Sequence, residues 1–221
     1  MKNVCVFSPH PDDDLIGCGG SMYKHVKHGN KVTVVYMTSG EAGSVKYKKE
    51  ELRKIREMEA KNATKILGID DLIFLRNPDG ALEYNEENIR KLVEIIRNKR
   101  PQIVYIPHEK DSHKDHIATN RLVVESVRRA GMLSLNLYRG CPWLVETILC
   151  YEVWTPLQDF SFVEDITEVI DLKIKALREH KSALAEVKYD EAIQSLNRYR
   201  GIMTGKGKYC ECFQLLSKGR I

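Results

Sequence analysis

Short, fully apolar runs alternate with longer stretches of helical spacing through the first 130 residues of the chain. Val4 to Phe7 carries no polar side chain and stops at Ser8-Pro9, the pattern of a strand buried on both faces that runs straight into a loop. Leu15 to His28 has helical spacing and a Gly29-Asn30 stop. Lys31 to Thr38 is β-branched and predicts a second strand, and Tyr47 to Leu67 predicts a helix with Gly68 as its C-terminal cap. Leu72 to Leu75, then the turn-rich Asn77-Pro78-Asp79-Gly80, then Glu86 to Asn98 read as strand, loop and amphipathic helix. Ile103 to Ile106 is a fourth strand, Pro107 to Asp115 a polar loop, and His116 to Ala130 a helix. Such alternation predicts an α/β fold of three layers, Rossmann-like, with a mainly parallel sheet and helices on both faces.

After Gly131 the pattern loosens. Thr147 to Trp154 reads as a strand, Ile166 to Ala185 as one long helix, Tyr189 to Arg200 as another, and Tyr209 to Leu216 as a last strand. No repeat, low-complexity tract or linker marks a boundary, so a single domain over residues 1–221 is expected.

Composition narrows the class without naming it. With 43% hydrophobic and 30% charged residues among 221, the chain is neither disordered nor fibrous. Its net charge of +4 is spread over many short clusters, which gives no footprint for a nucleic-acid partner. No run is long and apolar enough to cross a bilayer, and the N-terminus has no signal-peptide pattern, so a soluble cytoplasmic chain is expected. The six cysteines, Cys5, Cys18, Cys141, Cys150, Cys210 and Cys212, contain no Cys-x-x-Cys pair and fit a reducing compartment.

Two loops carry the chemistry. Directly after the first strand the chain reads Pro9-His10-Pro11-Asp12-Asp13-Asp14, placing an imidazole and three carboxylates where a parallel sheet presents its ligand crevice. Alone, those acids could simply cap the following helix. After the fourth strand comes Asp111-Ser112-His113-Lys114-Asp115-His116, with two histidines three apart at a strand-to-helix turn. Alone, that too could be ordinary surface. Helical crossovers, however, return every strand in the same direction and bring both loops to one sheet edge, where together they suit a metal. Imidazole plus carboxylate fits zinc, and an open coordination position fits a hydrolytic site better than a structural one. A neighbouring carboxylate could then serve as general base, and a second imidazole could stabilise a tetrahedral species.

These loops resemble the hallmarks of the LmbE-like/PIG-L family of zinc-dependent N-acetylglucosaminyl deacetylases. The similarity continues through Leu15 to Gly20, Thr38-Ser39-Gly40-Glu41, Arg56, Glu59-Ala60, Pro78-Asp79-Gly80, Asp165-Ile166-Thr167, His180-Lys181-Ser182 and Tyr209 to Phe213. The resemblance implies a cofactor, Zn2+, bound by His10, Asp13 and His116, and a catalytic set of Asp12 as general base, His113 on the oxyanion and Asp115 orienting a histidine. It implies Arg56 and Asp79 as substrate-binding residues. The implied reaction is hydrolysis of the N-acetyl group of a small GlcNAc-containing molecule, with GlcNAc-malate and N-acetylated disaccharides as candidates. Assembly as trimers or hexamers is implied as well. Asp14 departs from the family pattern, where Glu is usual.

Rival readings rest on less. Gly17-Cys18-Gly19-Gly20 lacks the third glycine of a dinucleotide fingerprint, Met22 standing in its place, and the glycines are expected to let the first helix approach the sheet closely. Gly205-Lys206-Gly207 lacks the spacing and hydroxyl of a phosphate loop. A zinc-binding protein without amide hydrolase activity, and a metal-dependent hydrolase of another acyl or phosphoester substrate, remain as alternatives. Trp143 and Trp154 are expected to pack in the core or at its rim, and Lys46-Tyr47-Lys48-Lys49 to be a solvated helix start. His25, His28 and His108 read as ordinary, and His180 as the best placed of the remaining histidines to approach the site. Substrate choice is expected to lie in the loops around 41–49, 76–84 and 131–145.

Overall fold

A computed structural model of the chain describes residues 1–133 and 138–218. Seven strands form one sheet in the order β3-β2-β1-β4-β5-β7-β6. The parallel part comprises β1 (Asn3–Ser8), β2 (Lys31–Thr38), β3 (Asp71–Asn77), β4 (Ile103–Pro107) and β5 (Thr147–Tyr151). Two further strands, β6 (Phe162–Asp165) and β7 (Cys210–Lys218), complete the sheet, with β7 antiparallel to both β5 and β6. Helices α1 (Asp13–Lys27), α2 (Lys49–Ile66), α3 (Glu86–Lys99) and α4 (Lys114–Ala130) link the parallel strands, and α5 (Ile170–Leu177), α6 (Lys181–Leu184) and α7 (Tyr189–Thr204) lie between β6 and β7.

Residue alternation along the buried strands builds two cores. Val4 and Val6 of β1 pack with Leu15 of α1, Ala63 of α2 and Leu177 of α5, whereas Cys5 and Phe7 pack with Leu92 of α3 and Val123 of α4. The three layers predicted by the sequence are therefore present. β1 is the pivot, hydrogen-bonded to β2 on one side and β4 on the other, and the crevice at such a switch point is where open α/β sheets bind ligands.

Three expectations need correction. The single helix over 166–185 is two, α5 and α6, because the chain turns at Glu179 and His180. β6 is an addition to the expected strands: four residues at a sheet edge carry too short an alternation to read. The strand from Thr147 ends at Tyr151 and not at Trp154, because Asp111 Oδ2 accepts the backbone N–H groups of Trp154 and Thr155 at 3.1 and 3.2 Å and draws that segment away.

Helix α1 is broken at Cys18 (φ −145°, ψ 22°). The freed carbonyl of Ile16 accepts from Lys173 Nζ at 2.9 Å, and the N–H groups of Gly20 and Ser21 donate to the two carboxylate oxygens of Glu211 at 2.8 Å each. Lys173 and Glu211 are themselves paired at 2.7 Å and fully buried. The glycines of α1 serve close packing as expected, since a Cβ on Gly20 would lie 2.6 Å from Ile166 Cγ2.

Candidate metal centre

The loops after β1 and β4 meet at the crevice. His10 Nδ1 lies 2.9 Å from Asp13 Oδ2, His116 Nε2 lies 3.3 Å from Asp13 Oδ2, and the two ring nitrogens are 3.3 Å apart. Three donor atoms thus form a near-equilateral triangle. A tetrahedral zinc ion with bonds of about 2.0–2.1 Å separates its ligands by about 3.3 Å, so this triangle has the dimensions of one face of such a site. His10, His113 and His116 also offer a set of ring nitrogens within 4.8 Å of one another, as do His10, Asp79 and Asp115 with their carboxylate oxygens. The residues present therefore fit a metal ion.

Carboxylates surround the three donor atoms. His10 Nε2, the nitrogen turned away from the triangle, is 3.1 Å from Asp79 Oδ1 and 3.2 Å from Asp115 Oδ2. Asp115 in turn accepts the N–H groups of Gly80 at 2.7 Å and Leu82 at 3.2 Å, tying the loop after β3 to α4. Asp111 Oδ1 lies 3.1 Å from His116 Nδ1, off the line a hydrogen bond needs. This orienting contact goes beyond the sequence expectation, although Asp111 lies within the quoted loop.

The electrostatics favour positive charge at the centre. Burial opposes protonation of His10, but the carboxylates of Asp115, Asp13 and Asp79 outweigh it and raise the ring's pKa well above its usual value. His116 behaves alike, burial being overcome by Asp13 and Asp111, and rises to about 9. Burial likewise works against an ionised Asp13, yet His116 and His10 hold it well below the usual carboxylate range. A cation between these groups would complete the same charge balance.

Asp12 stands apart. It occupies the N-cap position of α1 with φ +125°, a strained region for a residue with a side chain, and its carboxylate caps nothing. The capping alternative therefore does not hold for Asp12. Burial first, and the negative charge of Asp13 next, push its pKa up to about 7, with Arg56 pulling the other way. Asp14 is buried beneath, accepting from Tyr36 Oη at 3.1 Å, and has no place in the crevice.

Nδ1 of His113 accepts the N–H of Asp115 at 3.2 Å, so the neutral ring carries its proton on Nε2. Burial, then the neighbouring His10 and His116, lower its pKa and keep it neutral. A cavity of about 390 Å³ opens over these groups, lined by His10, Asp12, His113, Arg56, Asp79 and Trp154 among others. Arg56 is only 7% exposed, held between Gly40 and Gly43, and its Nε has no hydrogen-bond partner among the described residues.

Trp154 departs from expectation: it is 53% exposed, meets the ring of His113 edge-on at 5.1 Å, and lines the cavity. Trp143 packs as expected, its Nε1 donating to Pro101 O at 2.7 Å. Tyr189, to which no sequence motif points, also reaches the cavity. Lys46 pairs with Glu186 at the exposed surface. Of the loop around 131–145, residues 134–137 lie outside the described residues.

Residues 5–127 match the family model described as PIG-L, GlcNAc-PI de-N-acetylase. The chain belongs to the PIG-L family. Within it, the chain is 30% identical over 223 residues to a diacetylchitobiose deacetylase of Thermococcus kodakarensis, covering 96% of this chain and 82% of that one. It is 30% identical over 189 residues to a probable N-acetyl-alpha-D-glucosaminyl L-malate deacetylase 2 of Bacillus cereus, covering 82% and 83% respectively. The crystal structure of the conserved protein TT1542 from Thermus thermophilus superimposes with a TM-score of 0.87 at 34% identity, covering 97% of this chain and 94% of that one. The named PIG-L relatives are deacetylases, hydrolases of amide bonds. Among the described residues no helix is long and apolar enough to cross a membrane.

Proposed function

We propose that this PIG-L chain is a cytoplasmic, zinc-dependent hydrolase, a single domain over residues 1–221, that removes the N-acetyl group from a small GlcNAc-containing molecule. GlcNAc-malate and N-acetylated disaccharides are the candidate substrates, by analogy with the relatives. The observation that carries the reading is the triangle of His10 Nδ1, Asp13 Oδ2 and His116 Nε2 at 2.9–3.3 Å, with Asp12 beside it in the same cavity. These three residues would hold the ion. When bound, zinc lowers the pKa of a ligated water towards neutrality and polarises an acyl oxygen.

The remaining chemistry belongs to the chain. Asp12, with a pKa of about 7, is matched to accept a proton from water near neutral pH and to return it to the departing amine. His113 presents an Nε2–H donor to the acyl oxygen as charge develops there, a role that needs the neutral tautomer its backbone contact selects. Asp79 and Asp115 fix the His10 ring from behind, as Asp111 does for His116. Arg56, buried and without a carboxylate partner among the described residues, supplies donors for sugar hydroxyls, and Asp79 supplies an acceptor.

The test is acetate release from N,N'-diacetylchitobiose and GlcNAc-malate by zinc-loaded and metal-stripped protein. Release from at least one substrate, lost on stripping and restored by zinc, is expected. Stoichiometric zinc binding with no acetate released from either would reject the reading in favour of a metal protein of other activity.

A further inference from the structure

A second cavity, of about 340 Å³, lies at the opposite edge of the sheet, where β4 and β5 begin, and shares no lining residue with the metal centre. Its floor is apolar, from Ile103, Leu149, Phe162 and Leu215, and its wall is the last turns of α1. Volumes from about 300 Å³ upward are typical of small-molecule sites with apolar linings and few polar groups.

A buried polar group in this cavity is uncommitted among the described residues. The backbone N–H of Lys2 donates to Asn30 Oδ1 at 2.8 Å, which turns the amide NH2 of Asn30 towards His25 Nδ1 at 3.2 Å. His25 Nδ1 must then accept, so the neutral ring carries its proton on Nε2 and donates it to Tyr105 Oη at 3.0 Å. Burial, and after it the neighbouring His28, lower the His25 pKa to about 4 and keep the ring neutral. Tyr105 Oη is therefore occupied as an acceptor, and its own O–H has no acceptor among the described residues although the side chain is only 3% exposed. A buried donor without a partner is costly, and here it belongs to a residue lining an apolar cavity.

We propose that this far-edge cavity is a second binding site, taking a small ligand with an apolar body and one carbonyl-type acceptor oxygen, which receives the Tyr105 hydroxyl. The Lys24–Glu164 ion pair closes one side and leaves the apolar floor to choose the ligand body.

Titration of the zinc-loaded full chain with benzoate, and separately with uncharged acetophenone of similar size, tests this, read by the His25 ring resonances in NMR spectra. Saturable shifts with at least one probe are expected, and comparison of the two separates carboxylate from neutral carbonyl ligands. Tyr105→Phe removes only the hydroxyl and should weaken binding by about five- to tenfold. Thr147→Trp should fill the cavity and abolish binding; His28→Trp, at an exposed position on the rim, serves if that variant does not fold. Absence of saturation with both probes, or unchanged affinity in Tyr105→Phe, overturns the proposal. So does self-association that shields His25 and shuts the cavity, measured by sedimentation.

Discussion

Two buried polar clusters flank helix α1, and they are built on opposite principles. Beneath its kink, Lys173 gives its ammonium donors to Ile16 O, Asn197 Oδ1 and Glu211 Oε1 at 2.7–2.9 Å, and Glu211 accepts from Gly20, Ser21 and Lys173. One positive charge meets one negative charge and each is satisfied within the cluster. At the N-terminus of α1, by contrast, Asp12, Asp13, Asp79, Asp111 and Asp115 gather around three imidazoles whose nitrogens face one another. A closed network holds the fold, whereas an open one with excess negative charge and convergent donors is built to take something in.

The contrast can be broken at either cluster. The largest effect is expected from Asp12→Ala, which should retain zinc while turnover falls by about a hundred- to ten-thousandfold; metal content measured beside acetate release checks it, and near-normal rates with zinc bound would remove Asp12 from its role. Lys173→Met leaves Glu211 as an uncompensated buried charge and should cost about 3–5 kcal/mol of stability in denaturant melts. Adding Glu211→Gln should recover part of that loss, because the pair then disappears together. Asp111→Asn weakens the support of His116 and should lower zinc affinity by about ten- to a hundredfold in chelator competition.

The smallest effect concerns acid. His180 is 1% exposed with both ring nitrogens unpartnered among the described residues, and burial, aided by the charge of Arg56, lowers its pKa to about 3. The unfolded chain, with an ordinary histidine pKa of about 6.5, takes up that proton first. The contribution of His180 is thus complete above about pH 6.5 and declines as pH falls towards 3, by on the order of 2 kcal/mol at pH 5. His180→Leu should flatten this slope in thermal melts compared at pH 7 and pH 5; an unchanged slope would assign the acid sensitivity to other groups.

Much of this contrast is legible in the sequence. The buried strands announce themselves by uninterrupted apolar runs, and Pro9 to Asp14 and Asp111 to His116 can be placed at one sheet edge from topology alone. What the linear pattern hides is pairing at a distance. The partnership of Lys173 with Glu211 spans 38 positions, and Glu211 reaches Gly20 across 191, so neither residue advertises itself in any window. Asp111 is hidden differently, because its contact with His116 depends on the loop's path. Trp154 escapes its expected place because the chain leaves the sheet after Tyr151, which carries the indole from the rim of the core to the mouth of the cavity.

The mended kink in α1 has a consequence for the order in which the protein is made. The N–H groups of Gly20 and Ser21 wait for a carboxylate on the final strand, so a nascent chain that has not yet delivered Glu211 carries an unfinished first helix. Asp13 opens that helix, so the candidate metal centre stands at the head of an element whose kink is closed from β7.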